Sequence, residues 1–184
     1  MQQRVRELLN EGARLLSHRR PGEAAAVLEE ALALDPTNVA VAINLGGAYV
    51  MQGKFSKAVP VLEEAAEREP GNEMVWVNLA AAYLGRLELS SREMQDRAIA
   101  AFERALAVNP QTPNVNYNLG LIYMERREYR RAAAHFYRAL EVDPNDRDAR
   151  MWLDRIERGE LEERPDLTSP GADSANPDED HGNG

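Results

Sequence analysis

Cysteine is absent from this chain of 184 residues, which excludes disulfides and thiolate chemistry and leaves the redox compartment open. Histidine is scarce. His18, His135 and His181 fall in a turn, a second helix and an acidic tail, so no two of them form a plausible metal site. There is no His-Glu-x-x-His, no glycine-rich phosphate loop and no Gly-x-Ser-x-Gly. Asp and Glu are abundant, but they map mostly to solvated helix faces rather than to a cleft that would shift their pKa values. The expectation is a protein that is not an enzyme and holds no metal or cofactor.

Long apolar runs are also missing. No stretch of about 18 apolar residues exists to span a membrane, and the charged opening Met1-Gln-Gln-Arg-Val-Arg-Glu has no signal-peptide core. A cytoplasmic protein is expected. Lysine is limited to Lys54 and Lys57, and net charge is −9. Eight acids against Arg164 in Gly159–Gly184 account for seven of those negative charges, so the rest of the chain is close to neutral. A nearly neutral body excludes general duplex nucleic-acid binding, which requires phosphate neutralisation.

What the chain has is repetition. Asn44-Leu45-Gly46 followed by Tyr49 returns as Asn78-Leu79-Ala80 with Tyr83 and as Asn118-Leu119-Gly120 with Tyr123. Each copy leads into an alanine-rich amphipathic run and then a proline: Ala58, Leu62, Ala65, Pro70; Ala98, Phe102, Ala105, Pro110; Ala132, Phe136, Ala139, Pro144. A degenerate copy comes first, with Asn10, Gly12, Ala24, Leu28, Ala31 and Pro36. The closing prolines are 34, 40 and 34 residues apart, a period that marks a helical repeat array.

This pattern resembles the tetratricopeptide repeat family, whose motif runs Trp-x-x-Leu-Gly-x-x-Tyr, then Ala-x-x-x-Phe, then Pro. The resemblance covers Met1 to about Pro144. It implies an all-α, right-handed superhelical solenoid of antiparallel helix pairs over residues 1–158, with repeats at about 2–36, 37–70, 71–110 and 111–144 and a capping helix at 146–158. Residues 159–184, rich in Pro, Gly, Ser and acid, bury too little to offset ordering entropy and are expected to be a disordered acidic tail.

Within that frame, helices are predicted over Gln2–Ser17 and Pro21–Leu34, with Glu7, Glu11 and Arg14 where later repeats put Val41, Leu45 and Ala48. Such a polar face suits a terminal repeat, so the array is expected to begin here. Gly46 and Ala58 are expected where the two helices of a hairpin approach closely. Repeat three holds six extra residues within Gly85–Arg97, and Ser90-Ser91-Arg92-Glu93 reads as a capping box that starts its second helix early and carries it to Val108. The insert either is a longer turn or presents Leu87, Leu89 and Met94 to a partner. Repeat four is expected over about Pro113–Val142. The pairs Glu29-Glu30 and Glu63-Glu64 read as solvated surface, and Arg126, Arg127, Arg130 and Arg131 as part of a mixed solvated edge across which the acidic tail could fold.

In the resembled family the first helix of each repeat lines a concave groove that usually binds ligands. Carried over, that groove receives Arg6, Leu9 and Asn10 in repeat one, Ile43 and Asn44 in repeat two, Val77 and Asn78 in repeat three, and Asn114, Tyr117 and Asn118 in repeat four. It is apolar apart from one asparagine per repeat. A column of primary amides, each both donor and acceptor, can hold the backbone of an extended apolar peptide, or it can serve helix-to-helix contacts. The arrangement is similar to the asparagine ladder in the repeat domain of O-linked N-acetylglucosamine transferase. Trp152 stands where a fifth asparagine would, as packing for the cap or as closure of the groove.

A clamp for the acidic C-termini of chaperones is excluded. Its matching places hold Leu9, Ala13, Asn44, Met74 and Asn78, and without cations an acidic chain end gains no charge-assisted bonds. The expected function is a scaffold for a protein or peptide ligand. The alternative is a structural subunit whose groove is filled by a permanent partner or by a second copy in a homo-oligomer.

Overall fold

In the computed structural model, whose described residues are 1–161, four helix hairpins follow one another and a ninth helix closes the series. Hairpin one is α1 (Gln2–Ser17) and α2 (Pro21–Leu34); hairpin two is α3 (Val39–Met51) and α4 (Phe55–Arg68). Hairpin three is α5 (Glu73–Leu84) and α6 (Arg92–Val108), hairpin four is α7 (Val115–Glu125) and α8 (Tyr129–Val142), and α9 is Arg147–Glu157. Among the described residues there is no strand. The fold is an all-α helical-repeat solenoid in which each helix packs on the next, α1 also on α3, and α3 on α5. All but the first three residues of the expected acidic tail lie outside the described residues.

The loops restart helices by a recurring device. Asn38, Asn72 and Asp146, each two residues after the stop proline, cap the helix that follows: Asn38 Oδ1 accepts from Val41 N and Asn72 Oδ1 from Met74 N, both at 3.1 Å, and Asp146 Oδ1 from Ala149 N at 3.0 Å. Within hairpins, one left-handed residue reverses the chain at equivalent places, Arg19 (φ 56°), Gly53 (φ 70°) and Arg127 (φ 58°). Only glycine adopts that conformation without strain, so the two arginines each cost on the order of 1 kcal/mol.

Hairpins close where a residue without a side chain meets a large one. A Cβ on Gly12, Gly46 or Gly120 would lie 2.5 Å from the side chain of Leu28, Leu62 or Phe136, respectively. All three facing side chains are fully buried, which stabilises each hairpin by roughly 2 kcal/mol per side chain. Repeat three has Ala80 at the corresponding place. Two hydrophobic clusters result, one over α1–α5 and one over α5–α9, and Trp76 and Tyr83 pack against both.

Repeat four occupies about the expected residues, and its first helix begins only at Val115. Thr112 holds the place of the capping Asn38 and Asn72, but its hydroxyl donates backward to the Asn109 carbonyl at 2.7 Å, and Asn114 enters the left-handed region at φ 62°. The first turn is therefore not wound.

The insert builds structure more than it protrudes. Ser91 caps α6, its Oγ accepting from Met94 N at 3.2 Å, and α6 runs for 17 residues against 14 in α2, α4 and α8. Before it, a 3-10 turn over Leu87–Leu89 touches α7, with Leu87 packed on the second cluster. Of Leu87, Leu89 and Met94, only Leu89 is strongly exposed, at 77%.

Arg126, expected on a solvated edge, is buried. Its Nε donates to Gln95 Oε1 at 2.7 Å and its Nη2 to Asp96 Oδ1 at 2.7 Å and the Arg92 carbonyl at 3.2 Å. All three partners lie in the first turn or so of the lengthened α6. The corresponding residue of repeat two, Gln52, donates to the Pro21 carbonyl at the start of α2. The longer arginine reaches what the added turn presents.

Candidate functional site

The asparagine series starts on helices that touch. Asn10, Asn44 and Asn78 lie on α1, α3 and α5, which pack side by side, while α7, carrying Asn118, scarcely meets α5. Three members thus lie on adjacent packed helices, and the fourth lies on a helix set apart from them. Asn10 is exposed, and Asn44, Asn78 and Asn118 are half-buried.

Their hydrogen-bonding capacity is largely unspent. Asn44 Nδ2 donates to the Ala40 carbonyl of its own helix at 2.8 Å, which uses one of its two N–H groups. The side chains of Asn10, Asn78 and Asn118 make no hydrogen bond among the described residues. Asn78 Oδ1 lies 3.8 Å from where a Cβ on Gly47 would be, so the bare backbone at Gly47 leaves room for the amide of the next repeat.

The flanking residues differ in kind. Leu9, Ile43, Val77 and Tyr117 are half-buried and pack against the two clusters, leaving apolar edges beside the amides. Arg6 is exposed, and so is Asn114, which caps α7 only by position, with no side-chain bond. The Tyr117 ring is tilted against Phe136 with centroids 5.8 Å apart. Burial raises the pKa of its hydroxyl, and the Trp152 side chain opposes that shift from α9. Trp152 packs on the second cluster with the Arg155 guanidinium 5.0 Å from its ring, the packing role for the cap.

The glutamate pairs divide by role: Glu30 and Glu64 are exposed, as expected of a solvated surface, and pair there with Arg4 and Arg68, whereas Glu29 accepts the Tyr49 hydroxyl at 2.6 Å. Glu63 accepts the Tyr83 hydroxyl at 2.6 Å and also pairs with Arg97 at 2.7 Å, and the Arg97 guanidinium lies 4.1 Å from the Tyr83 ring centre. Burial, then the glutamate partner, pushes both tyrosine hydroxyls up to about 12. Each bond ties the first helix of one repeat to the second helix of the repeat before. The constant spacing of 20 residues between Glu29 and Tyr49 and between Glu63 and Tyr83 was the available signal.

In repeat four the polar interior is different. The His135 ring stacks on Tyr123 at 5.3 Å, and Nδ1 is 3.1 Å from Asn116 Oδ1. Burial, with a smaller contribution from Arg138, depresses the His135 pKa to about 4, so the ring is neutral near pH 7. Among the described residues, no hydrogen-bonded set joins a nucleophile, a base and an oxyanion donor. What the described surface provides is apolar edges with unspent amides.

Two family profiles described as Tetratricopeptide repeat match residues 15–82 and 86–157. No curated protein matches the chain. Among solved structures, the AMB-1 form of MamA is 32% identical, covering 77% of this chain and 74% of its own, with a TM-score of 0.59. MamA from Desulfovibrio magneticus RS-1 is 21% identical, covering 78% and 77%, with a TM-score of 0.65. The protein TTC0263 of Thermus thermophilus, a thermophilic tetratricopeptide repeat protein, is 22% identical, covering 85% and 82%, with a TM-score of 0.71.

Proposed function

Because the chain belongs to the tetratricopeptide repeat family, whose arrays are protein–protein interaction scaffolds, we propose that it holds an extended, apolar protein segment along its first helices without catalysing a reaction. The observation that supports this is the row of amides with unspent donors and acceptors on Asn10, Asn44 and Asn78, set between the apolar Leu9, Ile43 and Val77. An extended backbone offers one N–H and one C=O per residue, the complement of a primary amide, while apolar edges favour apolar side chains.

The test is affinity purification with the wild type and with Asn44→Ala/Asn78→Ala. The double variant should lose the partner that the wild type retains; a partner held equally by both would sink the asparagine reading. Light scattering checks whether the occupant is a second copy. A stable dimer dissociated by Leu9→Arg would replace the peptide by the chain itself.

A further inference from the structure

The loops before α3 and α5 each close on an asparagine and an acid that satisfy each other. Asn38 Nδ2 donates to Asp35 Oδ2 and Asn72 Nδ2 to Glu69 Oε2, both at 3.1 Å. Before α9 the same two places hold Asp143 and Asp146, two acceptors with no donor of their own. Asp143 Oδ1 accepts from Asn145 N and Asp146 Oδ1 from Asp148 N and Ala149 N, all at 3.0 Å. The second oxygen of each carboxylate makes no bond among the described residues.

Both carboxylates line a cavity of about 70 Å³ beside the late start of α7, at the cap end of the groove. Asn114, from the unwound turn, lines it too, and Tyr117 and Val142 give it apolar surface. Asn116 is only 5% exposed and also lines it, and its side chain makes no bond except that to His135. None of the described residues lining the cavity is a cation, and Arg150 on α9 is turned to the Pro144 carbonyl at 2.7 Å. The field there is negative: Asp148 and Asp146 both raise the pKa of the Tyr117 hydroxyl, after the larger effect of its burial.

We propose that this cavity is a subsite for a lysine side chain of the segment held along the first helices. An ammonium is a compact cation the size of a water molecule, and a cavity with room for a few waters has room for it. Its three rotatable donors match acceptors that come from three elements: Asp143 after α8, Asp146 at the start of α9, and Asn116 on α7, whose Oδ1 keeps a second lone pair beside His135. A guanidinium, whose donors form a rigid planar fork, matches acceptors spread in this way less well. The four-carbon stem lies against Tyr117 and Val142, as long cationic side chains cover apolar surface. This subsite presupposes the scaffold reading above and gives an otherwise apolar segment a charged anchor.

The test is an amide NMR titration of the full chain with N-acetyl-lysine-N-methylamide and with its norleucine counterpart, which keeps the stem and lacks the charge. The lysine probe should give saturable shifts at Asn116, Tyr117, Asp146 and Ala149, and the norleucine probe should bind about ten-fold more weakly. Asp143→Asn/Asp146→Asn should weaken the lysine probe about ten-fold, with helicity by circular dichroism unchanged. Asparagine already serves at both places: Asn109 accepts from Gln111 N in the third loop, and Asn38 and Asn72 cap their helices. If the double variant loses helicity, Asp143→Asn alone decides, with an expected loss of about three-fold. No saturable shifts at this site, equal shifts beside Glu69 and Glu73, equal binding of the norleucine probe, or undiminished binding in a folded variant overturns the assignment. Asn44→Ala/Asn78→Ala should leave the titration unaltered, so failure of the asparagine row and failure of this subsite are read separately.

Discussion

Between repeats one and two, and again between two and three, a tyrosine hydroxyl reaches back to a glutamate 20 residues earlier, and consecutive first helices pack together. Between repeats three and four the same two places hold Glu103 and Tyr123, yet no such bond forms. Tyr123 stacks on His135 of its own hairpin, α7 scarcely meets α5, and the junction is held by Arg126 gripping the extra turn of α6. At the last junction the pair returns with its roles exchanged, Tyr137 donating to Glu157. A recurring residue pair therefore does not guarantee a recurring interface. The inserted residues lengthened one helix, and a different side chain took over the junction.

Arg126→Ala gives the sharpest break in that comparison. It removes three hydrogen bonds from a buried guanidinium and leaves Gln95 without its donor, which should cost about 2 kcal/mol in urea denaturation. Gln52→Ala at the equivalent place should cost clearly less, because its amide is neutral and has backbone carbonyls as partners. Equal losses would mean that the two junctions are held alike.

The two regions should also differ in their response to pH. His135 has a folded pKa of about 4 against an ordinary 6.5, so its contribution is present above 6.5 and is lost as pH falls towards 4. After screening, the loss should be on the order of 1–2 kcal/mol, seen as acid-sensitive amide exchange in repeat four that His135→Phe abolishes. Tyr49 and Tyr83 behave in the opposite sense. Their folded pKa values of about 12 exceed the ordinary 10, so their contribution is complete below 10 and lost as pH rises to 12, in repeats one to three.

A smaller effect separates the tyrosines directly. Tyr83→Phe should destabilise by about 1 kcal/mol through loss of its bond to Glu63, whereas Tyr123→Phe should change stability by only a few tenths. Urea midpoints measured side by side decide this, and a comparable cost for Tyr123→Phe would show a bond across the third junction. The smallest expected effect is a gain: Asn114→Gly should stabilise by about 0.5 kcal/mol by relieving the left-handed residue before α7, read as a raised midpoint with slope unchanged.

Much of the fold was legible because it rests on local rules. Proline stops, the Ser91 cap and the small residue opposite Leu62 or Phe136 are short-range requirements, and they placed α1, α2 and α6 at the residues observed. The late start of α7 was not legible, since Thr112 resembles a cap and only its bond to the Asn109 carbonyl shows that the hydroxyl is already used. The asparagine positions could be placed on the first helices from their register. Whether their amides were free could not, because that depends on contacts such as Asn44 with Ala40 and the room left at Gly47.

The sequence by itself determined the number of hairpins, their order, and which faces carry apolar residues, since each follows from periodicity, small-residue placement and helix stops within about 40 residues. Only the tertiary structure decided how one repeat meets the next. Glu29 and Tyr49, or Arg126 and Asp96, are far apart along the chain and come together only when hairpins stack, and their partners depend on helix length and reach. Ala42 stands where the repeat motif has tryptophan, a departure visible in the linear chain, but the small hollow beside it forms only when Leu32 of one repeat closes over Val39 and Val61 of the next.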